Sequence, residues 1–355
     1  MKKQIINAFL GISLFAFTAC DTATVTEKSN NSGLAKAYEN KFLIGAAMNL
    51  KQIHGKDQKS LRIIEKHFNS IVAENCMKSM FLQPIEGQFF FDDADRFVEY
   101  GLKNNHFIIG HTLIWHSQAP KWFFYDQYGQ NVTPEVLKQR MKNHITTIVS
   151  RYKGKVKGWD VVNEAILEDG SYRKSKFYEI LGEEFIPLAF QYAHEADPNA
   201  ELYYNDYNEW HVGKRKTLTN LIKEFKTKGI RIDGVGMQAH FLMDSPSLQE
   251  YEETILDYAN AGVKLHITEM DISPLPSPWG SSANISETQN YEEVMNPYKQ
   301  GLPKEVEEKW AQKYVDFFTL FNKHQDKINR VTTWGVSDGD SWKNDFPIKG
   351  RTDYT

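Results

Sequence analysis

The chain is expected to fold as an α/β protein, a closed (β/α)8 TIM barrel. Eight short strand-like runs are spread along it, amphipathic helical stretches lie between them, and no Gly-rich phosphate-binding fingerprint follows the first run. Strict alternation of strand and helix implies parallel strands, and eight of them suggest closure. An open doubly wound sheet is the alternative, disfavoured by the missing fingerprint.

The runs are FLIGAAMN (42–49), SIVAENCM (70–77), FIIGHTLIW (107–115), VKGWDVVNE (156–164), ELYYNDYN (201–208), DGVGMQAHF (233–241), KLHITEMDI (264–272) and INRVTTWGV (328–336). Each is short, rich in β-branched or aromatic residues and bounded by polar punctuation. Between them, TPEVLKQRMKNHITTIVSRYKG follows a Thr cap, and FYEILGEEFIPLAFQYAHEADP and EVEEKWAQKYVDFFTLFNKH repeat apolar residues near every 3.6 positions. With 355 residues, 41% hydrophobic and 13% aromatic, the chain can bury a large core, as one barrel or two smaller domains.

A net charge of −4 without a basic block argues against nucleic acid as a partner. Neither a C-x-x-C pair nor an H-E-x-x-H helix occurs, so no metal is expected, and no cofactor. Residues 1–20 join a positive MKKQ to the apolar IINAFLGISLFAF and read as an export signal. Its end, Phe17-Thr18-Ala19-Cys20, resembles a bacterial lipobox with Phe where Leu is usual; the alternative is ordinary cleavage beside an incidental cysteine. On the first reading Cys20 carries the lipid, residues 21–39 form a polar tether, residues 40–355 form the barrel, and the protein is exported and anchored at the bacterial cell envelope. The membrane is then met only through that anchor. Cys76 would remain as a small buried apolar residue.

The fourth run ends on Asn163 and Glu164, and the seventh carries Glu269, ionisable groups where a buried strand should still be sheltered from water. In a (β/α)8 barrel the carboxyl ends of the strands build the active site. Two carboxylates at one such mouth are the equipment of glycoside hydrolysis, in which one acid protonates a poor leaving group while the other attacks the anomeric carbon or activates water. Taken singly, each could be a hydrated or ion-paired strand end. The other strand ends supply Asn75, Lys78, His111, Trp115, His116, Tyr207, Gln238, His240, Trp334 and Trp342, a polar and aromatic set suited to sugar hydroxyls and faces.

AENCMK, GHTLIWHSQAP, WDVVNEA, YNDYN, GVGMQAHF, ITEMDI and TTWGVSDGDSW, in this order over roughly residues 40 to 350, resemble the family 10 glycoside hydrolases, mostly endo-β-1,4-xylanases. The resemblance implies retaining endo-hydrolysis of xylan and xylo-oligosaccharides, with Glu164 as general acid/base and Glu269 as nucleophile. It implies that Asn163 binds the 2-hydroxyl and that His240, oriented by Asp271, supports Glu269; the blander reading of His240 and Asp271 is a structural pair. It further implies a sugar-binding set of Glu74, Asn75, Lys78, His111, Trp115, Gln118 and Gln238, aromatic walls from Trp334 and Trp342, and Tyr207 stacking beyond the cleavage point. Lys343 follows Trp342 where the family often has Arg, which puts a planar contact there in doubt and keeps Lys343 out of the expected site. A cellulase or mixed-linkage glucanase of the same barrel clan and a non-catalytic glycan-binding lipoprotein are the alternatives.

Family members continue into an eighth barrel helix, whereas GRTDYT shows no helical pattern. That helix is therefore expected to be missing, leaving Val331 and Thr333 uncovered: either the chain is truncated, or its barrel is destabilised near residues 328–355, with Trp334 and Trp342 poorly held and activity impaired. A helix burying roughly 400 Å² of apolar surface is worth about 10 kcal/mol at most.

Overall fold

Runs that are apolar on both faces need cover on both, and a closed parallel barrel ringed by helices supplies it. The computed structural model describes residues 33–277, 293–347 and 349–354. The expected signal peptide, Cys20 and most of the tether lie outside the described residues. The strands are β1 (Leu43–Met48), β2 (Ser70–Ala73), β3 (Phe107–Trp115), β4 (Gly158–Asn163), β5 (Glu201–Asp206), β6 (Gly234–Met237), β7 (His240–Leu242), β8 (Lys264–Ser273) and β9 (Ile328–Thr333). Their order is β6-β5-β4-β3-β2-β1-β9-β8, and β6 pairs with β8 to close the ring. Every ladder is parallel, and β7 extends the sixth staves along β8.

The helices are α1 (Leu34–Ala37), α2 (Leu50–Ile53), α3 (Gln58–His67), α4 (Ser79–Leu82), α5 (Asp92–Lys103), α6 (Pro134–Arg151), α7 (Lys176–Leu181), α8 (Phe185–Ala196), α9 (Val212–Thr227), α10 (Leu248–Asn260) and α11 (Lys304–Lys323). Their starts follow local chemistry. Thr133 accepts from Val136 N ahead of Pro134 at α6, and Ser247 with Glu250 forms a capping box at α10. Inside the barrel Ala47, Val72, Ile109, Tyr203 and Trp334 pack together, and the larger cluster joins the outer strand faces to the helices. Cys76 is buried and free, as its expected role requires.

Two elements are broken within their expected runs. The sixth strand is interrupted after Met237, because Ala239 has φ 61, a left-handed value that turns the chain before His240. The helix expected over 177–198 divides at Gly182, also left-handed, into α7 and α8.

Among the described residues only two single-turn 3₁₀ helices, Asp338–Asp340 and Trp342–Asn344, follow β9. The expected exposure of Val331 is nevertheless not what the structure has. β9 is hydrogen-bonded on both sides, to β1 and β8, and Val331 is 1% exposed. Thr333 is half-buried beside a side cleft of about 330 Å³ lined by Leu34, Phe68, Trp310 and Tyr314. Trp334 is buried, and Trp342 Nε1 donates to Asp271 Oδ2 at 3.0 Å.

Candidate active site

The carboxyl ends of the strands open into a cleft of about 1060 Å³. It is lined by Glu74, Asn75, Lys78, His111, Trp115, Gln118, Asn163, Glu164, Gln238, His240, Glu269, Trp334 and Trp342, so the barrel gathers almost the whole expected set at one mouth. Asp271 stands behind His240, away from the cleft surface.

Glu164 follows the last residue of β4 and has φ 59, which turns its side chain into the mouth at some backbone cost. Its Oε2 accepts from Trp115 Nε1 at 2.9 Å, and its Oε1 accepts from Asn163 Nδ2 at 3.0 Å and Gln238 Nε2 at 3.1 Å. Burial pushes its pKa up, and the nearby Asp206 carboxylate adds to the rise; the hydrogen bonds and the Arg173 charge oppose it without cancelling it. The group is set to keep a proton longer than an ordinary glutamate.

Glu269, inside β8, is equally buried yet shifted the other way. Burial alone would raise its pKa, but the hydrogen bond from His240, the electrostatic influence of the neighbouring His111 and His240, and the amide of Asn205 outweigh it. His240 Nε2 lies 3.3 Å from Glu269 Oε2, and its Nδ1 lies 3.0 Å from Asp271 Oδ2. Burial would deprotonate this ring, yet the two carboxylates push it up to about 9. Asp271 is held well below the usual carboxylate range despite its burial, by His240 and by Lys343, whose Nζ is 2.5 Å from Asp271 Oδ1. Lys343, left out of the expected site, therefore belongs to it: the ammonium needs no planar fork to serve as a point charge.

The two carboxylates are joined by amides. Asn205 Nδ2 donates to Glu269 Oε1 at 2.7 Å and to Asn163 Oδ1 at 2.9 Å, and Asn163 donates on to Glu164. Thr268 fixes the Asn205 carbonyl at 2.7 Å. A side chain at Gly236 would strike it, since an added Cβ would sit 2.2 Å from Asn205 Oδ1. Asn205 was missed in the sequence although alternation could have found it: Tyr203 points into the barrel, and two residues on the side chain does so again.

Beside Trp115, Lys78 Nζ donates to Asn75 Oδ1 at 3.0 Å and Asn75 Nδ2 to Glu74 Oε1 at 3.1 Å, while Lys78 Nζ sits 5.0 Å from the Trp115 ring centre. His111 is oriented by Asp160, Nδ1 to Oδ2 at 2.8 Å, and meets the Trp334 ring edge-on. Trp342 stacks on Phe346, an exposed aromatic that also lines the cleft.

Tyr207 corrects the expectation. It is 1% exposed and does not line the cleft, because its hydroxyl accepts from Arg173 at 2.6 Å and its ring lies against Lys214 Nζ. A ring held in this way presents no face to a sugar. Trp210, His211 and Val212 line the cleft just after it. His116 is also set back from the cleft, and burial pushes its pKa down to about 3.

A model of glycosyl hydrolase family 10 matches residues 33–354. An endo-1,4-β-xylanase A of Xylanibacter ruminicola is 49% identical over 314 residues, 88% of this chain and 85% of that one. An endo-1,4-β-xylanase of Geobacillus stearothermophilus is 43% identical, covering 92% of this chain and 93% of its own. Among solved structures, a family 10 endoxylanase from a sugarcane soil metagenome superposes with a TM-score of 0.87 at 48% identity, over 91% of this chain and 94% of that one. A closed parallel barrel, two buried carboxylates of opposite bias at its mouth and these likenesses agree, and the chain belongs to glycosyl hydrolase family 10.

Proposed function

We propose that the retaining endo-1,4-β-xylanase reaction of this family is carried here by Glu164 as general acid/base and Glu269 as nucleophile. The observation that carries the assignment is the opposite bias of two equally buried carboxyls, Glu164 toward the proton and Glu269 toward the anion. In the first step the Glu164 proton passes to the glycosidic oxygen as a Glu269 oxygen attacks the anomeric carbon, giving a glycosyl ester and a free leaving-group hydroxyl. In the second, Glu164, now a carboxylate, takes a proton from water whose oxygen attacks the same carbon and releases Glu269.

Asn163 is suited to the 2-hydroxyl, since its amide already bonds Glu164 and carries a second N–H. Glu74, Asn75, Lys78, His111, Trp115, Gln118 and Gln238 bind the sugar, with Trp334 and Trp342 as apolar walls. Trp115 and Gln238 also hold Glu164. Digestion of xylan beside cellulose, with products sized, tests the reading: short xylo-oligosaccharides from internal cleavage are expected, and cleavage of cellulose at an equal rate would overturn the substrate assignment.

The protein is exported and tethered to the cell envelope through a lipid on Cys20, a reading supported by the FTAC sequence and the polar stretch after it. Cys20→Ala should move the protein to the soluble fraction with catalysis intact. Unmodified protein found soluble after export would contradict the anchor.

A further inference from the structure

Glu164 holds a left-handed backbone conformation that its side chain does not favour, so its neighbours must supply what keeps it there. Three main-chain groups at this point are fixed. Glu164 N donates to Asn205 O at 2.9 Å, Ala165 N donates to Tyr204 Oη at 2.9 Å, and Glu164 O accepts from Arg173 Nε at 2.8 Å. The first is a continuation of the β4–β5 ladder, and the second comes from a tyrosine anchored on Asp206. Only the third reaches in from a loop.

Arg173 is placed for this and little else. It is 8% exposed, its own N–H donates to Ala165 O at 2.8 Å, and its Nη2 donates to the Tyr207 hydroxyl at 2.6 Å. A buried guanidinium is ordinarily paired with a carboxylate. Among the described residues the side-chain hydrogen bonds of Arg173 go instead to a carbonyl and a phenol oxygen. Tyr207 is fixed in turn: Lys214 Nζ donates to its carbonyl at 2.7 Å, lies 4.1 Å from its ring centre and pairs with Asp206 at 2.8 Å, both charges fully buried.

We infer that Arg173, seated on Tyr207, is a positioning residue for the acid/base: it grips the Glu164 carbonyl and so aims that carboxyl at the glycosidic oxygen. The clamp works through Glu164 and touches no substrate. It explains why Tyr207 is withdrawn from the cleft, since its hydroxyl serves as the seat for the guanidinium. The charged and titratable groups facing Glu164 are Asp206 from β5, Arg173 from the loop before α7, Lys78 at the start of α4 and Tyr207 after β5. Arg173 is the one whose removal both frees the carbonyl and takes away a cation.

The inference rests on Glu164 being the acid/base, and Glu164→Ala is therefore assayed alongside. In Arg173→Met, kcat/KM on xylan should fall by about 10²-fold, the scale of a misplacement of about 1 Å, and by less than about tenfold on an aryl xylobioside whose leaving group needs little protonation. The basic limb of the pH profile should move to higher pH, because a cation that favours ionised Glu164 is gone. Arg173→Lys should restore the limb and only part of the rate. Equal losses on both substrates with an unmoved limb would overturn the clamp, since a merely structural role predicts that. If Arg173→Met does not fold, Tyr207→Phe decides, with the same substrate split at smaller size expected and its absence overturning the inference. Should Glu164→Ala itself show no dependence on leaving group, the acid/base assignment fails before the clamp is reached.

Discussion

The surroundings of Glu164 and of Glu269 are two solutions to one burial problem. Both carboxyls line the same cleft, and both are withdrawn from water. Around Glu164 the neighbours are an indole, two amides, the Asp206 carboxylate and the Arg173 guanidinium, which together do not offset desolvation, so the neutral acid is favoured. Around Glu269 they are a protonated imidazole and an amide, backed by Asp271 and Lys343, so the anion is favoured. Residue type and burial do not assign the roles. The balance of charges and hydrogen bonds around each carboxyl does.

The comparison breaks most completely when either carboxyl is removed. Glu269→Ala should abolish turnover on every substrate, because in the proposed mechanism Glu269 is the group that forms the glycosyl ester. Glu164→Ala should lose about 10²- to 10⁴-fold on xylan and much less on activated aryl glycosides. Steady-state rates on the two substrate types check both, and equal losses for Glu164→Ala would contradict its role as acid.

A smaller effect is expected from weakening one side. His240→Gln or Asp271→Asn takes away the cation, or what holds it, and Glu269 should then ionise less readily. The acidic limb of kcat/KM should move to higher pH, each pKa unit costing about tenfold in rate on the acid side. The basic limb, which reports Glu164, should stay in place. Lys343→Met should move the acidic limb in the same direction by less, since His240 still faces Asp271, and Lys343→Arg should largely preserve it. Movement of the basic limb alone would mean that the two sides had been exchanged.

Stability carries the smallest signal. The folded pKa of His240, about 9, lies above its ordinary 6.5. Its pairing therefore contributes stability that is complete below about 6.5 and lost as pH rises through about 9. Asp271, held below its ordinary value of 3.8, contributes stability present above that value and lost as pH falls. Melting temperatures of the wild type and His240→Gln should converge as pH rises from 7 to 10, and a constant difference would contradict the linkage.

Much of this was legible in the sequence because parallel barrel strands are apolar on both faces, so Glu164 and Glu269 stand out where a run should continue. Alternation within β5 would also have revealed Asn205. The rest depends on neighbours distant along the chain. Tyr207 sits in a motif that reads as a cleft residue, yet Arg173, 34 positions earlier, claims its hydroxyl. Lys343 was set aside for lacking a planar fork, but Asp271 across β8 requires only a charge. The interruption of the sixth strand was hidden because Ala239 gives no sign of a left-handed backbone. At β9 the pattern along the chain did not show the cover over Val331, which the larger core cluster between strands and helices supplies.

The most direct test of the split between the two carboxyls is a ¹³C NMR titration of enzyme labelled at the glutamate side-chain carboxyls, with Glu164→Gln and Glu269→Gln used to assign the two signals. Glu269 should lose its proton below the ordinary glutamate value of 4.5 and Glu164 above it. A single shared midpoint, or the reverse order, would contradict the account.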